Sequence, residues 1–92
     1  MIEREVILTH KYGLHGRPSL KLATEASKFD CSIEASFNGD RVDCKSVINL
    51  LSLGVPMGGS IKLFFNGSDE ADAAEALTSL INRNFDFGEA MG

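Results

Sequence analysis

Ser32-Ile33-Glu34-Ala35-Ser36-Phe37-Asn38-Gly39-Asp40-Arg41-Val42-Asp43-Cys44 has the pattern of a β-hairpin. Ile33, Ala35 and Phe37 alternate with Ser32, Glu34 and Ser36, the two-residue period of a strand with one buried face. Asn38-Gly39 is a strong short turn signal, because both residues tolerate positive φ. A short return strand then runs through Val42 and Cys44. An antiparallel hairpin in mid-chain needs further strands beside it and helices to cover its apolar face, and both must come from the flanks.

On the N-terminal side, residues 2–9 alternate as a strand, with Ile2, Val6 and Leu8 on one side. Lys11-Tyr12-Gly13 breaks it. Leu20, Ala23 and Ala26, with Leu22 and Phe29, recur at helical spacing and predict a helix over about 16–28. On the C-terminal side, Ser46 is a good N-cap for the apolar Val47-Ile48-Asn49-Leu50-Leu51. Gly54, Pro56 and Gly58-Gly59 form a loop, and Ile61, Leu63 and Phe65 alternate inward on a fourth strand that Asn66-Gly67 ends. Ser68 and Asp69 are both candidate caps for a last helix with Ala74, Leu77, Leu80, Ile81 and Phe85 on one face. Asp69, Glu70 and Asp72 stand at its positive end. The order is β-α-β-β-α-β-α. It implies an α+β open-faced sandwich, a four-stranded antiparallel sheet covered on one face by three helices. The expectation is a single domain over 1–92, ordered about 2–85, with a tail from Asp86 to Gly92 that frays.

Ninety-two residues give one modest core and no room for a deep enclosed active site. Chemistry is therefore expected at the surface or in a cleft shared with a partner. The net charge of −4 and the scatter of nine Lys and Arg argue against nucleic acid as a partner. The chain contains no apolar run of 18 residues and no cationic, apolar leader, so neither membrane insertion nor export is expected. Cys31 and Cys44, 13 apart, lack metal-ligand spacing and are expected as packing thiols in a reducing cytoplasm. No metal and no cofactor are expected.

The chemistry concentrates in Gly13-Leu14-His15-Gly16-Arg17-Pro18-Ser19, between the first strand and the first helix. Pro18 suits a helical first turn, where its missing N–H costs nothing. His15 then stands at or beside the cap. The amides after it are unpaired, and the helix start carries roughly half a positive elementary charge, which makes an anion site. Gly16 leaves room for a phosphate, and Arg17 adds a guanidinium that matches phosphate oxygens. The same field disfavours an imidazolium, so the ring is expected to be uncharged and able to attack phosphorus. A lone His at a helix start is more often a cap or a surface residue. The coincidence of nucleophile and phosphate cradle within three residues is what favours function here.

Gly13-Leu14-His15-Gly16-Arg17-Pro18 resembles the active-site signature of the histidine-containing phosphocarrier family, HPr, of the bacterial phosphoenolpyruvate-dependent phosphotransferase system. Lys45-Ser46-Val47-Ile48 followed by Leu51-Ser52-Leu53-Gly54 resembles its second signature, and the resemblance covers residues 2 to about 85. It implies a carrier, not an enzyme. His15 would take a phosphoryl group on Nδ1 from enzyme I and pass it to an enzyme IIA-type acceptor in sugar uptake, with Arg17 neutralising the phosphohistidine. A regulatory carrier of the nitrogen-related branch is the alternative. The family usually has Ala where this chain has Gly16 and Ser19; Ser19 is expected to bring a hydroxyl near the phosphate. A cytoplasmic monomer is expected.

The resemblance also aligns Ser46 with a serine that a dedicated kinase modifies in many members, so a serine kinase/phosphorylase would be a further partner where one exists. It implies a docking patch of Leu14, Leu20, Val47, Ile48 and Leu51. Lys21, Lys28 and Lys45 are the lysines left to steer acidic partners. His10, at the end of the first strand, reads as a surface residue. Asp86-Phe87-Gly88 is discounted as a kinase tripeptide, since no Gly-rich loop accompanies it.

Overall fold

Strand pairing follows the hydrophobic alternation. The computed structural model describes residues 1–11 and 13–86. Its elements run β1 (Ile2–Ile7), α1 (Gly16–Ala26), β2 (Ser32–Phe37), β3 (Asp40–Asp43), α2 (Val47–Leu53), β4 (Ser60–Asn66), α3 (Glu70–Asn82) and a short 3-10 turn (Asn84–Asp86). The sheet order is β1-β4-β2-β3, antiparallel at every pairing. In register, Val6 faces Ile61 and Ile2 faces Phe65, while on the other side Ile33 faces Phe65 and Ala35 faces Leu63. Every second residue of these strands therefore falls on one apolar surface. Ile61, Leu63 and Phe65 at its centre are fully buried, each worth about 1.5–3 kcal/mol in apolar burial.

The helices cover that surface. α1 contributes Leu22, Ala23 and Ala26, α2 contributes Leu50 and Leu53, and α3 contributes Ala73, Ala74, Leu77, Leu80 and Ile81. The opposite sheet face stays open and carries its own charge pairing. Glu3 meets Lys62 at 3.8 Å, and Arg41 meets Glu34 at 2.8 Å while its guanidinium lies 3.8 Å over the Phe64 ring. That cation–π cover shields the large apolar ring on the solvent side. The hairpin turn is as expected, with Asn38 at φ 54° and Gly39 at φ 90° between the paired Phe37 and Asp40.

Two local expectations are corrected. The ladder of β1 stops at Ile7, although Leu8 continues it informally by donating to Gly59 O and accepting from Gly58 N–H. α3 ends at Asn82, so Phe85 does not lie on its face. Asn84, Phe85 and Asp86 adopt φ of 56°, 58° and 61°, and this left-handed turn swings Phe85 back into the core. The left-handed conformation costs Phe85 about 1–2 kcal/mol and the flanking Asn and Asp less, and burial of the ring works against that cost. At Asp86, where the tail begins, the carboxylate accepts from Arg83 Nε at 2.8 Å. Residues 87–92, including the discounted tripeptide's Phe87-Gly88, lie outside the described residues.

Asp69 occupies the N-cap position of α3 without making a cap bond. Its carboxylate reaches across the fold to accept from Asp30 N–H at 2.8 Å and Cys31 N–H at 2.9 Å. Glu70 accepts from Gly67 N–H at 3.0 Å. No helix among the described residues is long and apolar enough to cross a membrane.

Candidate functional site

The loop between β1 and α1 is pinned by backbone contacts before it reaches His15. Gly13 N–H donates to His10 O at 2.8 Å, and Leu14 N–H donates to Val55 O at 2.9 Å. Gly13 sits at φ 64°, and a Cβ there would collide with the Val55 carbonyl oxygen. Only glycine satisfies both the left-handed backbone and that close approach. Leu14 then drops into the core, 1% exposed. Its side chain anchors the loop, so the expectation that it belongs to a partner surface is corrected.

His15 follows as the N-cap of α1, at φ −114° and ψ −170°. Its carbonyl accepts from Ser19 N–H at 2.8 Å, the first bond of the helix. The side chain makes no capping bond and is exposed, so the ring stands clear of the helix it begins. Gly16 and Arg17 come next, both exposed, and their amides fall among the helix-start donors that have no carbonyl one turn earlier. Pro18 removes the donor that would come after them. Among the described residues nothing lies within 4 Å of where a Gly16 Cβ would be. An exposed imidazole, the first two amides of the helix and a guanidinium thus share one turn. A groove of about 340 Å³ continues along the helix, lined by Arg17, Leu20, Lys21 and Thr24.

Ser19 is corrected. It is fully buried, and its Oγ finds no hydrogen-bond partner, so the hydroxyl points away from the open end where an anion would sit. His10 is corrected too. It is 3% exposed, with its ring edge-on to Phe85 at 6.4 Å between centroids. Burial, Lys11 and Arg17 all lower its pKa below the ordinary 6.5.

Ser46 caps α2, its Oγ accepting from Asn49 N–H at 3.3 Å. α1 and α2 pack together and leave Leu20 57%, Ile48 78% and Leu51 38% exposed, with Val47 half-buried against the core. Met57, at 60% exposure in the loop after α2, adds an apolar side chain that spacing in the sequence did not single out. Lys45 is committed elsewhere, donating to Phe29 O at 2.7 Å, and Lys28 pairs with Glu25 at 3.0 Å. Burial pushes the Cys31 thiol up to about 11 and Cys44 up to about 12, which keeps both protonated and inert. Among the described residues no cluster of three or more His, Cys, Asp or Glu is placed to hold a metal ion.

The family model for the PTS HPr component phosphorylation site matches residues 2–83. The chain is 39% identical over 89 residues to phosphocarrier protein HPr of Neisseria meningitidis and 37% identical over 89 residues to that of Cupriavidus necator. Each alignment covers 97% of this chain and all of the relative. The crystal structure of HPr-C-His from Thermoanaerobacter tengcongensis superposes with a TM-score of 0.91 at 37% identity, over 94% of this chain and 97% of that one. The fold, the helix start that presents His15 and the match across nearly all of the sequence agree, and this chain belongs to the HPr family, the phosphocarrier proteins of the phosphotransferase system.

Proposed function

We propose that His15 is the residue that carries the phosphoryl group, receiving it from phosphoenolpyruvate-charged enzyme I and handing it to an enzyme IIA-type acceptor during sugar uptake in the cytoplasm. The observation that carries this reading is the N-cap geometry. The ring is exposed and makes no capping bond, at a helix start where nothing lies within 4 Å of the Gly16 Cβ position.

The step needs little from the protein beyond placement. The Nδ1 lone pair forms the bond to phosphorus as the donor's bond to phosphorus breaks, its electron pair staying on the donor. The three phosphoryl oxygens then meet the helix-start amides of Gly16 and Arg17, with the Arg17 side chain one turn away to offset their charge. Handing the group on reverses the same motion. Because the site is open to solvent, the partner must close it, and exposed Leu20, Ile48 and Leu51 give an apolar surface on which to do so.

Incubation with phosphoenolpyruvate and enzyme I is expected to yield one acid-labile, base-stable phosphate per chain, absent from His15→Ala. Equal labelling of that variant would defeat the assignment.

A further inference from the structure

We propose that Val55 is a positioning residue for His15: with its backbone restricted by Pro56, it holds the Leu14 amide on its carbonyl and so ties the residue before the imidazole to the end of α2. The consequence for transfer rests on the phosphocarrier reading, and the geometry does not.

The His15 ring makes no capping bond, so its placement is left to the backbone on either side. After it comes the helix, whose first bond runs from Ser19 N–H to His15 O at 2.8 Å. Before it comes Leu14, whose side chain is buried and whose N–H donates to Val55 O at 2.9 Å. Gly13 lies directly on the same segment, where a Cβ would collide with Val55 O and with the Cα and carbonyl carbon of Pro56. At the other end of the loop Leu8 N–H donates to Gly59 O at 2.9 Å, and Gly58 N–H donates to Leu8 O at 2.6 Å. The His15 loop is thus held at both ends by residues 54–59, the connector between α2 and β4.

That connector has little freedom of its own. It leaves α2 through Gly54, the left-handed C-cap, whose N–H donates to Leu51 O at 3.2 Å. Val55 is β-branched and precedes a proline, and both features bias its backbone away from the helical region. Pro56 has a fixed φ, and its carbonyl accepts from Gly59 N–H at 2.9 Å to close a turn. The Val55 side chain is part of the core, packed as tightly as the rest of it. Val55 is therefore anchored at its side chain and stiffened at its backbone, with its carbonyl taken by Leu14. α2 also carries the exposed Ile48 and Leu51, and Met57 is exposed on the connector itself. A partner seated on those side chains is one short, stiff link from the residue that precedes the imidazole. Docking surface and nucleophile then share a frame, so a partner that finds the first is already aligned with the second. Misplacement by about 1 Å through a change outside the chemistry can cost about 10²-fold in rate.

A backbone carbonyl cannot be removed by substitution, so the test loosens it. Pro56→Gly in the full chain frees the Val55 backbone and removes no buried side chain, because Pro56 is exposed. The Leu14 amide is expected to exchange hydrogen about tenfold faster, while the Leu77 amide in α3 keeps its rate. Transfer from enzyme I should lose about tenfold in kcat, with KM within about twofold. Labelling of His15 by phosphoramidate, a small donor that needs no docking surface, is expected to match the parent chain. Asp69→Ala, which breaks a link between α3 and β2 instead, controls for a general loss of stability. Unchanged exchange at Leu14, faster exchange at Leu14 and Leu77 alike, a kcat no lower than that of Asp69→Ala, or an equal loss of phosphoramidate labelling would each overturn the inference. A parent chain that takes no phosphate from enzyme I would instead defeat the phosphocarrier reading, and exchange at Leu14 would still decide this one.

Discussion

At the scale of single residues, the helix start mixes open and closed positions with little slack. His15, Gly16 and Arg17 are exposed, while Pro18 and Ser19 immediately after them are buried. Ser19 places a hydroxyl in the core with nothing to bond to, and an unsatisfied buried oxygen costs about 1–3 kcal/mol. Ser19→Ala removes the oxygen and little volume. We expect it to raise stability by about 1 kcal/mol, read as a higher urea midpoint with an unchanged slope, and to leave transfer through His15 intact. The exposed helix start at His15, Gly16 and Arg17 was legible in the sequence because a strand ends and a helix begins there. The burial of His10 and Leu14 was not. Both lie in a loop that has no period to reveal an inward face, and their direction is set by Val55 and Phe85, which are distant in sequence.

At the scale of elements, periodicity was a good guide and chain ends were the weak point. The hairpin was readable because Asn38-Gly39 determines its own backbone, and the inward residues of β4 alternate without exception. The end of α3 was not readable. Phe85 continues the helical spacing, yet the helix stops three residues earlier and a left-handed turn brings the same ring inward. Spacing reports which residues are buried and is blind to the path between them. α2 is the shortest helix, seven residues, and leans on its ends. Ser46 supplies the first cap, and Gly54 at φ 64° the last. Ser46→Ala should cost about 0.5–1 kcal/mol of stability, at the low end for a cap because the bond is long. Faster hydrogen exchange at the Asn49 amide is the local sign to look for. If exchange there is unchanged, the cap contributes nothing.

At the scale of the molecule, Asp69 is a side-chain link between segments far apart in sequence. Its carboxylate joins the start of α3 to the entry of β2, and the Asp30 amide is the main cause of its lowered pKa, with Cys31 adding to it. A carboxylate held below its ordinary value stabilises the fold above that value and stops doing so as pH falls through the folded one. Asp69→Ala is therefore expected to lower the denaturation midpoint at neutral pH and to flatten the acid side of the stability curve below about pH 4. Parallel curves for parent and variant would show that the bonds add no net stability. This cross-link was invisible in the sequence, where Asp69 reads as a cap, because nothing local indicates that its partners lie 38 and 39 residues away.

The strand order carries a consequence for biosynthesis. β4 lies between β1 and β2, yet it is the last strand made. β1 therefore emerges from the ribosome with no neighbour to accept its amides, and it must wait for some fifty residues of later chain before it has one. The sheet can close only after β4 has been made. The nascent chain thus carries β1 unpaired until β4 follows, and that interval is when aggregation or chaperone capture would compete with folding.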